Sequence, residues 1–487
     1  MIKSSIKIHD KFSVVIDVTY DKVFNRKKSK YIALTYLFFP DSLNINNKTY
    51  PSTKFYNDNR LFLKYDTPNY TLKDIVEGEK SLLKNLKKNT EKYIQSRTEK
   101  NRSIYNDQVK MFAATFSNLL SNKVFYLIKS KKYSSENIED LLTKIILIVK
   151  EFRVVLDKIN QSSLKEKNKS SVLYADEHMS NVIELQLMEL YNYRKKIKAQ
   201  NSNLEAVVAL INSEQRYKKQ KVYDSPKDKD SKSEALLYKR NQLKKIIESV
   251  FFLNQDIRKD GAVFEQSMLA LAAGLAMVFS TGIAFYYQMI YGNFTVPFFI
   301  ALVMSYMLKD RIKGLISLSF VSKSSSFFYD FKIKITNSLG KKIGLIKENF
   351  IFVPLKKLGK KVRKHRQKNL IVKMDIDDLY EQVIQYKKKI TIYPRRFGND
   401  LPDENIIGLT DITRLNFHRF IQYMDDPMKD YILIKKGEVY NKVADKIYHI
   451  NIIQKFYTQE GIEFKRYRVI MNRNGIKRIE SVRLDKE

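Results

Sequence analysis

Adjacent carboxylates are a common sequence sign of metal-assisted chemistry, and this chain offers two groups of them. Tyr423-Met424-Asp425-Asp426 has a spacing at which a tight turn can present two carboxylates to metal ions, and Asp375, Asp377 and Asp378 could add a second cluster. The surroundings argue against that chemistry. Residues 416–423 (NFHRFIQY) have helical rather than strand spacing, and Pro427 follows at once. Asp375 is therefore expected to cap a helix, and Asp425-Asp426-Pro427 to end one. The 5 histidines, His9, His178, His365, His418 and His449, lie far apart, and no two have the spacing of a helical metal pair. With 0 cysteines, disulfides, thiol catalysis and thiolate-held zinc or iron–sulfur centres are excluded. No P-loop, G-x-G-x-x-G or G-x-S-x-G occurs. The expectation is a protein with no catalytic residue, no metal ligand and no cofactor.

Charge is the stronger signal. Lys and Arg number 89 against 53 Asp and Glu, a formal +36, and such a field draws nucleic acid, anionic lipid or acidic protein. The chain is also rich in Asn, Ile and Tyr, so AT-rich coding is a competing source of the lysines. The densest basic cluster is Lys356, Lys357, Lys360, Lys361, Arg363, Lys364, Arg366, Lys368 and Lys373, with no acidic residue among them. Leu355, Leu358 and Val362 give it an apolar edge, so it is expected to bind a polyanion, first anionic lipid and second nucleic acid. Near the C-terminus Lys465, Arg466, Arg468, Arg473, Lys477, Arg478 and Arg483 surround Tyr467. On strands this mixture suits phosphate and base contacts, or simply a charged sheet edge.

The elements that must position these residues follow from apolar periodicity. Residues 13–20 (SVVIDVTY) and 31–39 (YIALTYLFF) read as strands, giving a β-rich N-terminal module over 1–70. From 71 the spacing turns helical, through Leu82, Leu83 and Leu86, then Val109, Phe112 and Phe116, then Leu141, Leu142 and Ile145. This predicts a cytoplasmic helical region over 71–260, packed as a long bundle, with an exposed linker near 218–233 (KKQKVYDSPKDKDSKS). A helix restarting at Glu234 is expected to run on toward the apolar segment. A basic juxtamembrane region over 309–373 is expected to stay helical or amphipathic, with another helix over 375–389. The C-terminal domain, 374–487, reads as α+β, with strands near 431–435, 447–457, 464–471 and 476–484 and a turn at Asn474-Gly475.

The most apolar stretch is 267–287 (SMLALAAGLAMVFSTGIAFYY), which is free of charge and long enough for the ~30 Å of bilayer hydrocarbon. A short uncharged loop leads to a second apolar run, 296–308, which reaches only about 20 Å. Together, over 264–308, they predict a two-helix transmembrane hairpin in a mostly α membrane protein. Arg258 and Lys259 before it, and Lys309, Arg311 and Lys313 after it, put both termini in the cytoplasm by the positive-inside bias. The opening residues carry no signal-peptide core, which agrees with that expectation. Ala272, Ala276, Ser280 and Ala284 recur every fourth residue, and Ala301 and Ser305 repeat the spacing. Small residues so placed let helices approach closely, either within the hairpin or between copies. No Asp, Glu, Lys, Arg or His lies within 267–308, so an ion-coupled transporter is not expected.

This layout, the 267–308 hairpin with its basic cytoplasmic flanks, resembles two-transmembrane effector proteins of bacterial anti-phage systems, including the retron-associated type. The resemblance is one of architecture and transfers no site residue. It implies an inner-membrane effector held by a restraining complex, with a ribonucleoprotein or other polyanion as partner. When released, it would permeabilise the membrane as a homo-oligomer. The opposing expectation is a non-toxic membrane-tethered scaffold or adaptor using the same basic surfaces. The Tyr423–Asp426 turn matches reverse transcriptases over those four residues alone, without fingers or palm pattern around it.

Overall fold

The computed structural model describes the chain except residues 1, 22–26, 69, 79–80, 130–135, 163, 165, 197–201, 224–232, 294, 325–327, 338–339, 369–379, 397–405, 407, 459–460 and 485–487. In chain order the first elements are β1 (Ile2–Asp10), β2 (Ser13–Asp21), β3 (Ser29–Pro40), α1 (Ser52–Asp58) and β4 (Arg60–Tyr65). Six helices follow: α2 (Leu82–Gln95), α3 (Glu99–Lys129), α4 (Glu136–Gln161), α5 (Glu166–Lys196), α6 (Ser202–Gln220) and α7 (Ser233–Glu248). Next come β5 (Asn254–Lys259), α8 (Ala262–Tyr291), α9 (Val296–Ser324), β6 (Phe331–Thr336), β7 (Lys342–Phe352), α10 (Lys360–Gln367) and β8 (Glu381–Ile392). The chain ends with β9 (Gly408–Asn416), α11 (His418–Ile421), β10 (Met428–Lys435), β11 (Glu438–Asp445), β12 (Tyr448–Tyr457), β13 (Ile462–Asn472) and β14 (Gly475–Val482). Among the described residues 51% are helical and 31% lie in strands, and the N-terminus is β-rich as expected.

The chain forms two compact units. The first gathers Met1–Phe62, Asn254–Arg396 and Asp411–Glu487. Its eight-stranded sheet has the order β14-β13-β12-β3-β8-β7-β6-β5, and a four-stranded sheet has the order β1-β2-β9-β4. β3 is apolar almost throughout because both its faces are covered, with Phe38 and Phe39 fully buried. Val14, Ile16, Val18 and Tyr20 alternate inward from β2, toward Ala33, Thr35 and Leu37 of β3. Between the two sheets lies a cavity of about 20 Å³, which Lys388, Asp411 and Gln454 help to line. The buried Lys388 ammonium donates to Asp411 and Thr413, and Tyr386 donates to Glu348, so these groups inside the sandwich are paired, whereas the buried Tyr20 hydroxyl finds no hydrogen-bond partner among the described residues. Burial raises the Glu348 carboxyl above the usual range, against the pull of Lys388.

The second unit comprises Leu63–Leu253 and Phe397–Thr410, and its helices α2–α7 form the expected bundle. Phe112, Phe116, Leu141 and Ile145 are fully buried in it, as their spacing predicts, and Phe152 joins them. The middle of α5 is polar and buried as well. Arg153 of α4 donates to Glu214 of α6 at 2.7 Å and to Asp176 of α5 at 3.3 Å. Lys218 of α6 donates to Asn181 at 2.8 Å and Glu184 at 2.9 Å, and Arg240 of α7 reaches the same Glu184 at 3.0 Å. These buried charges have opposite partners on neighbouring helices, which fixes how the helices align.

Several expectations are corrected. The N-terminal module and the C-terminal region are not separate, since β3 lies between β12 and β8 in one sheet. The helix from Glu234 stops at Glu248, and β5 intervenes before the apolar segment. The region 309–373 is helical to Ser324, then supplies β6 and β7, where FKIKIT alternates at strand period, and becomes α-helical again only at α10. The helix expected over 375–389 is β8 from Glu381 onward, while Asp375, Asp377, Asp378 and Lys373 lie outside the described residues. The linker cannot begin at Lys218, which is fully buried in α6; residues 224–232 are not described. The last hairpin turns at Arg473-Asn474, with Gly475 at φ 125. A Cβ there would meet the Lys11 carbonyl oxygen at 2.5 Å, so the position demands glycine.

Candidate membrane hairpin and basic surface

β5 and β6 are antiparallel neighbours, with Lys259 opposite Phe331, and α8 and α9 occupy the place of their turn. The root is tightly built. Gly261 turns the chain into α8 at φ 76, and a Cβ on it would strike the Phe328 ring at 2.6 Å. Phe264 lies against Phe328 with ring centroids 5.2 Å apart, Lys259 pairs with Glu265 at 2.6 Å, and Lys347 of β7 holds Asp260 at 2.8 Å. Both ends of the helical pair are thereby fixed to one sheet edge.

The small residues form the seam between α8 and α9. Ala272, Ala276, Ala301 and Ser305 are buried, Ser280 and Ala284 are half-buried, and the Ser280 and Ser305 hydroxyls are 3.2 Å apart. The sequence reading of close approach is realised within one chain, so this face is already filled and is not open to a second copy. Outside the seam the pair is covered with exposed apolar side chains, among them Met277 (65%), Val278 (72%), Phe285 (65%) and Phe299 (67%). Among the described residues α8 alone is long and apolar enough to cross a membrane; its most apolar stretch has a mean hydropathy of 2.0, and 11% of it is buried. α9 is as long, but Lys309, Asp310, Arg311 and Lys313 interrupt its apolar surface halfway.

The basic cluster divides differently from its sequence pattern. Leu358 and Val362 are buried against Leu34, Tyr36 and Phe38 of β3, Val383 of β8 and Ile453 of β12. The apolar edge that suggested lipid binding is therefore spent on docking α10 to the sheet. Arg366 is buried and forms a two-pronged pair with Glu381, at 2.9 and 2.5 Å, so it is structural rather than polyanion-facing. Lys356, Lys357, Lys360, Lys361 and Lys364 are exposed, and Arg363 and Lys368 half-exposed.

The C-terminal cations are largely engaged too. Arg466 is buried and donates to the His365 carbonyl at 2.6 Å and to that of Lys368, capping the end of α10. Burial, with Arg366 and Arg468 nearby, pulls its pKa down to about 10. Arg468 and Arg478 pair with Glu480, Lys477 with Asp445 and Arg473 with Asp426. Asp425 accepts from Lys446 and Tyr448, so both carboxylates of the Tyr423–Asp426 turn are occupied by side chains of this chain. Among the described residues no group of three or more His, Asp or Glu is placed to hold a metal ion. Sequence reasoning missed Glu381 and Phe328, whose partners Arg366 and Phe264 belong to other elements. No protein-family model matches this chain, and no curated protein or solved structure matches it.

Proposed function

We propose that α8 and α9 enter a bilayer together as a two-span hairpin, and that the protein works as a membrane-tethered adaptor whose exposed lysines around α10 engage a polyanion. The observation that carries this reading is the apolar surface of α8, of which only 11% of the most apolar stretch is buried. A core helix of a water-soluble domain would have that surface covered, and leaving it in water is costly. The pairing of β5 with β6 supports two spans, because with both ends fixed to one sheet edge a crossing by α8 obliges α9 to return. Arg258, Lys259, Lys309, Arg311 and Lys313 against an uncharged loop support a cytoplasmic sheet and an inner-membrane location.

The permeabilising effector is the second reading. It loses support from the filled Ala272–Ala276 seam, since two helices cannot enclose a pore and the face expected to assemble copies is used internally. It keeps support from the shortness of the apolar part of α9, which strains a bilayer of ordinary thickness. Topology reporters active only outside the cytoplasm, fused at Asn293 and after Glu487, test the tether. Activity is expected at Asn293 alone; activity at both sites, or at neither, removes the two-span reading. Dye entry on strong expression in cells would move the conclusion to the effector.

A further inference from the structure

The Ser280–Ser305 contact sets the register of the helical pair. The helices run antiparallel, so one turn further from the connecting loop on each side Ala276 lies level with Lys309, and another turn on Ala272 lies level with Lys313. Lys309, Asp310, Arg311 and Lys313 therefore form a charged collar partway along α8, not at its foot. Above the collar, at ~1.5 Å per residue, α9 offers about 20 Å of apolar length and α8 about 24 Å, against ~30 Å of hydrocarbon. Below it the surface is apolar again, with Leu271 (54%), Leu315 (67%) and Leu318 (71%) exposed.

We infer that the collar, rather than the sheet, sets the insertion depth: the hairpin enters only to Lys309, thins the bilayer around it, and leaves the lower part of α8–α9 as a stalk at headgroup level. This rests on the membrane reading and adds to it a depth, a lipid contact and a thickness preference. Three cations within five positions cannot sink into hydrocarbon without desolvation, whereas lysine and arginine stems reach a phosphate from just inside it. Lys309 also lies over the Tyr306 ring at 4.1 Å, a cation–aromatic pair suited to the interface. The headgroup phosphates of anionic phospholipid are the matching ligand. A bilayer that fits needs less hydrocarbon than usual, so the hairpin favours short acyl chains and deforms long ones.

The absence of cysteine makes the test direct. Single-cysteine variants Phe285→Cys, Leu302→Cys, Leu271→Cys and Leu318→Cys, at solvent-facing positions, carry an environment-sensitive fluorophore in the full-length protein. The protein is reconstituted into vesicles of phosphatidylcholine and phosphatidylglycerol bearing quenchers at the headgroup or deep in the acyl chain. The Phe285 and Leu302 probes should be quenched from the acyl chain, and the Leu271 and Leu318 probes from the headgroup only. Incorporation should fall as the acyl chains lengthen. Replacing the collar (Lys309→Leu, Arg311→Leu, Lys313→Leu) should let the lower probes sink to the acyl quencher. Equal acyl quenching of all four probes in the native-collar protein would overturn the collar while leaving insertion intact. Acyl quenching of none would overturn insertion, and the collar with it.

Discussion

Burial keeps the His178 imidazole neutral. Desolvation within the helical unit, helped by the Lys244 charge, lowers its pKa from 6.5 to about 4. Between those two values the unfolded chain takes up a proton that the folded chain refuses. The stability this group supplies is thus complete above pH about 6.5 and drains away as pH falls toward about 4, by on the order of 3 kcal/mol. His178→Leu should flatten that part of the pH dependence, read as denaturation midpoints at pH about 7 and about 4.5. Equal slopes in the variant and the native protein would show that the imidazole titrates freely. This role is invisible in the sequence, because His178 stands among Asp176, Glu177, Ser180 and Asn181, a run that looks solvated. Apolar spacing reports which helix face is oily, but the partners that let charges be buried, Arg153, Glu214, Lys218 and Arg240, come from three other helices. The small residues of the hairpin were legible for the opposite reason: their signal is spacing on one face, and their partner is the next helix along the chain.

At the scale of elements, long helices and the last strands could be read directly, whereas the strands beside the hairpin could not. β8 hid behind Lys387, Lys388 and Lys389, because an interior ammonium such as Lys388 looks like a surface residue until Asp411 arrives from another strand. The α10 segment reads as basic and amphipathic, but its apolar edge has two possible destinations, lipid or sheet, and spacing cannot choose between them. The docking makes a separable prediction. Arg366→Gln leaves Glu381 buried without its charged partner and should cost about 3–5 kcal/mol of stability. Lys356→Gln, Lys357→Gln and Lys360→Gln together change exposed side chains, and each should cost no more than about 0.5 kcal/mol. The triple variant should instead weaken binding to anionic vesicles or RNA, with the loss fading at high salt. Chemical denaturation and a salt series of binding measurements check the two halves. A stable Arg366→Gln protein with reduced polyanion binding would return that arginine to the surface role its sequence suggested.

For the whole molecule, the sheet connectivity makes the helical pair an insertion into an otherwise complete β-hairpin. Lys259 already faces Phe331, and the Asp260 amide donates to the Asp330 carbonyl at 3.3 Å, the geometry a short turn would close. Sequence order concealed this, since the strands on either side of the insertion are six residues each and sit between two long helices and a basic stretch. The consequence is that α8 and α9 should be removable. Replacing 261–329 with Asn-Gly, a pair suited to a two-residue turn, joins β5 to β6 directly. It forfeits the contacts of Phe264 and Phe328 but keeps the Lys347–Asp260 pair and the Tyr56–Asp330 hydrogen bond of 2.8 Å. The excised protein should purify from the aqueous fraction without detergent and retain the full-length protein's strand content by circular dichroism. It should melt within a few degrees of the full-length protein in detergent, since a loss of about 1 kcal/mol shifts a large domain by only ~2–4 °C. It should also no longer pellet with membranes after alkaline extraction, although its exposed lysines should still bind anionic vesicles reversibly at low salt. If it stays with membranes after that extraction, the anchor lies elsewhere in the chain. If it fails to fold while Gly261 and the β5–β6 pairing are intact in the full-length protein, the helices belong to the core of the sheet unit rather than projecting from its edge.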